Sequence, residues 1–276
     1  MLVSKRLKLK VTNDTFDDRL RTKERTDADG GEVRLMSDLI FENPRLVAVY
    51  DDLDGPRRDL DHYLSIAKEL NAKSILDVGS GTGCFALLAS KNGFEVTGLE
   101  PAQASLNLAR RKQNANKIRW ISGDATRLPA LAVDLAVMTG NVAQVFLTDQ
   151  SWEATLIAIR NSLHPKGNFV FEVRDPAHKA WLGWTREKTY QRQYISGVGY
   201  VVGWCEVTDV SKELVSFRWT YTFESDGEVI KSDSTLRFRE KEPIENSLKK
   251  LGYVIREVRD APDRPKKEFI FIAALA

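Results

Sequence analysis

The chain has 276 residues, 42% hydrophobic and 29% charged, enough apolar surface for one large domain or one elaborated domain and too much for wholesale disorder. Lys and Arg total 41 against 39 Asp and Glu, and a net charge of +2 exerts no global pull on nucleic acid or an acidic membrane. Two distant cysteines, three unrelated histidines and no apolar run near the roughly 18 residues of a bilayer span argue against a disulfide framework, a metal cluster and a helical membrane anchor, so a cytoplasmic protein is the expectation.

Residues 1–37 mix both charges, carry few large apolar residues and include Asp29-Gly30-Gly31. They read as a poorly ordered arm, with a short strand expected where Leu7 and Leu9 alternate with lysines. Regular patterning starts at Leu39. Asp54-Gly55-Pro56 reads as a turn and helix start, after which Leu60, Tyr63, Leu64, Ala67 and Leu70 recur on one helical face. Ser74–Val78 is a short apolar strand, Phe85–Ser90 begins a helix stopped by Asn92-Gly93, and Phe94–Leu99 is a second strand. Ala102–Lys112 is a helix with Leu106 and Ala109 inward; Ile118–Ile121 and Val133–Met138 are further strands. Thr148 or Asp149 caps a helix carrying Trp152, Leu156, Ile159 and Leu163, Pro165-Lys166-Gly167 ends it, and Phe169–Val173 is a fifth strand. This alternation predicts an α/β fold with a doubly wound, mostly parallel, Rossmann-like sheet.

The period then changes. Tyr200–Thr208, Leu214–Glu224 and Glu228–Arg239 read as antiparallel strands, with Ser225-Asp226-Gly227 a hairpin turn. Pro243–Leu251 returns to helix, Gly252 caps it, and Tyr253–Val258 and Glu268–Ala273 complete seven strands. The expected organisation is an arm at 1–37, an α/β core at 38–175, an antiparallel cap inserted after strand five at 176–240, and a closing helix with two strands at 241–276.

The strongest chemical signal runs from Ser74 to Cys84: an apolar strand bearing Asp77, three alternate glycines (Gly79, Gly81, Gly83), then a helix. Glycines admit close backbone approach to a ligand, and free N–H groups at the helix start favour an anionic group. Seventeen residues after Gly83 the second strand ends in Glu100, an acid placed to accept both hydroxyls of a ribose. A dinucleotide fingerprint aligned from Gly79 wants a third glycine at 84, which is Cys84. The Asp-x-Gly-x-Gly-x-Gly spacing instead resembles motif I of the class I S-adenosylmethionine-dependent methyltransferases. An acid at Asp77 would repel a pyrophosphate and suits a cationic ammonium.

That resemblance spans residues 39–276 in architecture and 74–175 in specific motifs. It implies S-adenosyl-L-methionine as cofactor, with Asp77, Gly79, Ser80, Gly81 and Gly83 around its amino-acid end, Glu100 and Pro101 at the ribose, and Asp124 and Ala125 at the adenine. Thr139, Gly140 and Asn141 would edge the methyl's pocket. Phe41 to Asp51 resembles the family's N-terminal lid helix, which points Tyr50 at cofactor or substrate.

The acceptor side is less defined. Asn141 and Gln144 are candidates to orient a polar acceptor, and Arg174 either binds a substrate carboxylate or pairs with Asp175. His178, the histidine near a strand's C-terminal end, is the nominal general base, against a plain solvated loop residue. Trp184 and Trp204 are candidate pocket walls beside Trp181. Neither an Asp/Asn-Pro-Pro-Tyr clamp nor a Pro-Cys nucleophile is present, and no basic stripe is interleaved with aromatics. The expectation is therefore methyl transfer to a small-molecule acceptor by in-line displacement, without nucleic acid or membrane partners. A protein or RNA methyltransferase and an idle S-adenosylmethionine-binding regulator are the alternatives.

Overall fold

The computed structural model describes residues 37–275 and, before them, a pair of short strands, Glu24–Thr26 and Val33–Leu35. The chain divides into two compact units, residues 1–36 and 37–276. In the first, the two strands pair antiparallel with Glu24 opposite Leu35; the strand expected at Leu7 and Leu9 lies outside the described residues. All that follows concerns the second unit.

Two helices open it, α1 (Leu39–Glu42) and α2 (Pro44–Asp54), hinged at Asn43. The Asn43 side chain accepts from the N–H groups of Arg45 at 2.9 Å and Leu46 at 3.2 Å, while Pro44 takes the first helical position, where no N–H is needed. Gly55, at φ +73°, turns the chain out of α2. Helix α3 (Leu60–Glu69) then begins at Leu60 rather than at Pro56, a correction to the expected helix start.

The alternating elements are β1 (Ser74–Val78), α4 (Cys84–Lys91), β2 (Glu95–Glu100), α5 (Gln103–Arg111), β3 (Arg119–Ser122), β4 (Val133–Met138), α6 (Asp149–Ser162) and β5 (Leu163–Arg174). Thr148, not Asp149, caps α6, accepting from Ser151 N–H at 3.1 Å. After the insertion come α8 (Lys241–Lys250), β10 (Tyr253–Asp260) and β11 (Glu268–Leu275), with α7 and β6–β9 defined below. The seven-stranded sheet has the order β10-β11-β5-β4-β1-β2-β3. Strands β1 to β5 run parallel, and β11 lies antiparallel to both β5 and β10. Strand order reverses between β1 and β4, which opens the crevice at their C-terminal ends where ligands settle in such sheets. Ile75, Leu135, Val137 and Val170 are buried on one face beneath α3 and α4, and Phe169, Phe171 and Phe271 stack within the sheet at 4.7 and 5.0 Å.

The insertion holds α7 (Arg186–Thr189) and a second, four-stranded antiparallel sheet of β6 (Gln191–Ile195), β7 (Gly199–Ser211), β8 (Leu214–Phe223) and β9 (Val229–Arg237), in the order β9-β8-β7-β6. The β8–β9 turn forms as the sequence predicts: Gly227 at φ +74° donates to the Phe223 carbonyl at 2.8 Å, and Asp226 accepts from Glu228 N–H at 3.0 Å. This sheet has its own core. Ile40, Leu46 and Val49 of α1 and α2 pack against Ile195, Val201, Tyr221, Phe223 and Ile230. Ile40 N–H donates to Ser232 at 2.9 Å, and Arg45 lies 3.8 Å above the Phe223 ring while pairing with Asp226 at 2.7 Å. The opening helices thus share the cap's core, and they also reach the α/β unit at the glycine loop and α5. Among the described residues no helix is long and apolar enough to cross a membrane.

Candidate active site

The glycine loop lies at the reversal point, and three of its glycines adopt positive φ for separate reasons. A Cβ on Gly79 would meet Val142 at 2.7 Å, and one on Gly83 would meet Trp120 at 2.7 Å and Ala109 at 3.1 Å. At Gly81 an added Cβ meets nothing, so the space above it is open. Gly98 on β2 makes room for the same Trp120 ring. Trp120, which the sequence did not single out, is the filler under the loop, its indole N–H held by the Ala115 carbonyl at 2.9 Å.

Four N–H groups of the loop before α4 are already bonded, whereas the expected anion seat lies at the start of α4, which begins at Cys84. Gly79 and Ser80 donate to the Leu99 carbonyl, Gly83 to the Ser80 carbonyl, and Gly81 to Glu100 Oε2 at 2.7 Å. Glu100 Oε1 accepts from Ala102 N–H at 2.8 Å. Each of its oxygens thereby keeps acceptor capacity for a further donor. Burial pushes the Glu100 carboxyl up to about 7, tempered by the two N–H donors. Asp77 is 1% exposed, and neither of its oxygens has a hydrogen-bond partner; the Ala86 N–H is near enough only to temper its shift. Burial first, and the nearby Glu100 second, push it up to about 7. A buried, unpartnered carboxylate is costly unless a cation meets it. The Ser80 hydroxyl is likewise buried without a partner.

Helix α2 is pinned over this loop by Asp51, which accepts from Thr82 Oγ1 at 2.5 Å and pairs with Lys112 at 2.5 Å. Tyr50, one residue earlier, packs against Phe41 at 5.6 Å, and burial pushes its phenol up. Glu42 accepts from the N–H groups of Gln103 and Ala104 at the start of α5, and Phe41 carbonyl accepts from Ser105 at 2.8 Å. Pro101 occupies the bend between β2 and α5. Beyond β3, Asp124 caps the turn Ala125–Arg127 through Oδ1, accepting from Thr126 N–H at 2.9 Å, and Ala125 is buried. At the end of β4, Thr139 is half-buried and Gly140 faces Arg57, whose Nη2 would lie 3.7 Å from an added Cβ. Arg57 is itself held by Asp59, with Nε and Nη2 at 2.9 and 2.7 Å, and sequence reading gave no sign of it because its partners are local but its target is not.

Asn141, at φ +64° and 3% exposed, sits over a buried acid cluster on β5 and β11. Its N–H donates to Glu172 Oε1 at 3.0 Å and its side-chain amide to Glu268 Oε1 at 3.4 Å; Tyr63 hydroxyl donates to the other Glu172 oxygen. Burial and the neighbouring Glu268 raise the Glu172 carboxyl, while Arg264 meets Glu268 at 2.5 Å. A charged residue inside the buried run Phe169–Val173 was the available signal for Glu172.

The acceptor candidates divide. Gln144 is buried and braces the cap to the core, donating to the Arg237 backbone carbonyl at 3.3 Å and accepting from Arg174 N–H at 3.4 Å. Arg174 does not pair with Asp175, whose side chain caps the following turn through Ala177 N–H at 2.9 Å. Trp184 packs on Phe217 at 4.7 Å, and Arg174 lies 5.6 Å above its ring. His178 instead borders an open groove with Asp175, Lys241, Asp260 and Lys266, its side chain 45% exposed and 3.8 Å from Asp175, so it is not brought to the β1/β4 crevice residues. Trp204 is the clearest correction. Its register partners Thr220 and Lys231 lie on the face carrying Arg218, Glu206 and Asp233, whereas Gly203 and Cys205 pair with Tyr221 and Trp219 on the face toward α2. Trp204 therefore stands on the outer face, under Arg186 at 4.4 Å and bonded to Glu206 at 2.9 Å.

Residues 75–167 match the methyltransferase domain family. The chain is 36% identical over 87 residues to the biotin biosynthesis bifunctional protein BioHC of Cellvibrio japonicus, covering 31% of this chain and 17% of that protein. It is 26% identical over 148 residues to the cypemycin N-terminal methyltransferase of a Streptomyces species, covering 51% of this chain and 60% of that one. The chain thus spans less than two thirds of the length of these curated relatives. Among solved structures, CalS10, an amino pentose methyltransferase from Micromonospora echinaspora with S-adenosylmethionine bound, superposes with a TM-score of 0.62 at 20% identity over 83% of this chain and 95% of its own. Residues 75–167 are thus similar to the methyltransferase domain family, and the fold around them is that of solved S-adenosylmethionine-dependent methyltransferases.

Proposed function

We propose that the protein transfers a methyl group from S-adenosylmethionine to a small-molecule acceptor by in-line displacement. The observation that carries the cofactor half is Asp77: a fully buried carboxylate without a partner, at the end of a strand where the sheet opens. Such a group fits the ammonium of an amino-acid end, held directly or through water. Glu100 keeps acceptor capacity for two ribose hydroxyls, the space over Gly81 admits the cofactor's close approach, and the Asp124 carboxylate suits an adenine amino group. Gly79, Ser80 and Gly83 shape the loop, Pro101 and Ala125 flank the nucleoside, and Thr139, Gly140 and Asn141 border the methyl. That four of the loop's N–H groups are spent internally leaves fewer donors for a pyrophosphate, which supports this cofactor over a dinucleotide.

Bound here, S-adenosylmethionine supplies a methyl on a positively charged sulfur, already activated toward a nucleophile. What remains for the chain is alignment and exclusion of water. Asn141, locked by Glu172 and Glu268, fixes the end of β4. Tyr50 and Asp51 hold α2 across the loop, and the cap's inner face covers the acceptor side with Trp184. Among the described residues around Asn141, Glu172, Glu268 and Tyr63 are buried and already paired, which suits a reaction governed by positioning. Calorimetry tests the reading: S-adenosylhomocysteine should bind 1:1 and NAD should not, and tighter binding of NAD would sink it.

A further inference from the structure

We infer that the acceptor carries a single carboxylate, seated on Arg174, with a flat apolar body lying against Trp184, Phe217 and Trp219. This rests on the methyl-transfer reading above and adds to it the acceptor's class.

The first observation is a half-covered face. On the inner face of the cap, Val201, Tyr221, Phe223 and Ile230 are sealed by α1 and α2. Further along the same face, Phe217 and Trp219 remain only partly buried, and Trp184 packs beside Phe217. Aromatic rings left partly exposed along one face offer contact area to a flat apolar guest.

The second is a cation with weak partners. Arg174 closes β5 beside those rings, 5.6 Å above Trp184, with its side chain 21% exposed. Its contacts are long: Nε to Glu268 Oε1 at 3.5 Å and Nη1 to Gln144 Oε1 at 3.5 Å, neither using Nη2. Glu268 is already met by Arg264 at 2.5 Å, so its charge is largely answered before Arg174 is counted. Burial lowers the Arg174 pKa, Glu268 opposes the lowering and Arg264 adds to it. A guanidinium donates through a planar fork that fits a carboxylate bidentately. Glu268, 3.5 Å from its Nε, and Glu172, whose charge also acts on it, would oppose a second negative charge, which favours a carboxylate over a phosphate monoester.

The experiment uses the full chain saturated with S-adenosylhomocysteine and measures Kd for benzoate and indole-3-acetate against their amides, benzamide and indole-3-acetamide, and against phenyl phosphate. Each acid should bind at least ten-fold more tightly than its amide, since hydrogen bonds to charged groups exceed neutral ones by about that factor. Phenyl phosphate should bind more weakly than benzoate. R174Q should erase the acid preference, R174K should keep part of it, and W184L should weaken acid and amide alike. Equal binding of acids and amides to the unaltered protein overturns the inference whether or not R174Q folds, and tighter binding of phenyl phosphate overturns the choice of carboxylate. Binding of S-adenosylhomocysteine is measured on the same samples: its failure sinks the methyl-transfer reading, whereas normal cofactor binding without acid preference sinks only the acceptor class.

Discussion

The cofactor side and the acceptor side of the crevice are built in opposite ways. The cofactor side comes from one stretch of sequence: β1, its glycine loop and β2 supply Asp77, Gly81 and Glu100 within 24 residues, held by backbone bonds such as Gly81 N–H to Glu100. The proposed acceptor side is assembled from distant pieces, Arg174 on β5, Trp184 before α7 and Phe217 and Trp219 on β8, and rests on side-chain packing such as Trp184 on Phe217 at 4.7 Å. The lesson is that one side can change its ligand by swapping side chains on a four-stranded cap, while the other is fixed by strand ends and a turn that tolerates few substitutions.

The largest expected effect breaks the cofactor side alone. Asp77→Asn removes one partner of a buried charge pair, a loss of about 3–5 kcal/mol, so S-adenosylhomocysteine affinity should fall at least about 100-fold by calorimetry. The same change relieves an unpartnered buried acid, so the ligand-free protein should melt higher at pH 8, by an amount bounded by roughly 4 kcal/mol given a pKa moved from 3.8 to about 7. A drop in both affinity and stability would contradict this account of Asp77.

Next is Glu100→Ala. Losing a charged acceptor of ribose hydroxyls costs about 1.5–3 kcal/mol, a roughly 10- to 100-fold weaker Kd. Unlike Asp77, Glu100 also braces Gly81 and Ala102, so here the melting temperature should fall as well. An unchanged Kd would mean that β2 does not carry the ribose site.

The third contrast sharpens the acceptor side by comparing two tryptophans. Trp184→Ala should weaken binding of the carboxylate probe benzoate by a few kcal/mol at most, with S-adenosylhomocysteine binding nearly intact. Trp204→Ala, on the outer face, should leave both unchanged and cost only its contacts with Arg186 and Glu206, about 1 kcal/mol of stability. A larger ligand effect from Trp204 than from Trp184 would reverse the assignment of the cap's two faces.

This contrast also explains what the sequence disclosed. The parallel strands, the glycine loop, Glu100 and the β8–β9 turn were legible because each is a local pattern of apolar runs and turn residues. Strand β6 was not, since Gln191-Arg-Gln-Tyr shows no apolar alternation; one of its polar residues, Gln193, reaches inward to the Asp52 carbonyl at 2.9 Å. Trp204 was placed on the wrong face because residue type signals burial and not pleat parity, and an irregularity at Ser216/Phe217 shifts the β7–β8 register. Trp120, Arg57 and Glu268 were invisible for a third reason: each matters through a residue far away in the chain, Gly83, Gly140 and Asn141 respectively.

Protonation gives the smallest and most specific effect. Asp77 and Glu100 both have raised folded pKa values, so the stability they contribute is fully present below the unfolded carboxylate range near 4 and is lost as pH rises through about 7. The ligand-free melting temperature should therefore decline from pH 5 to pH 8, and saturating S-adenosylhomocysteine should flatten that decline.

The most direct test of the central claim, that an ionised Asp77 receives the cofactor's ammonium, is calorimetric titration of S-adenosylhomocysteine at pH 6 and pH 8 in two buffers of different ionisation enthalpy. The account predicts a several-fold weaker Kd at pH 6, with protons released on binding there and almost none at pH 8. Affinity independent of pH across that window, with no proton release at pH 6, would contradict it.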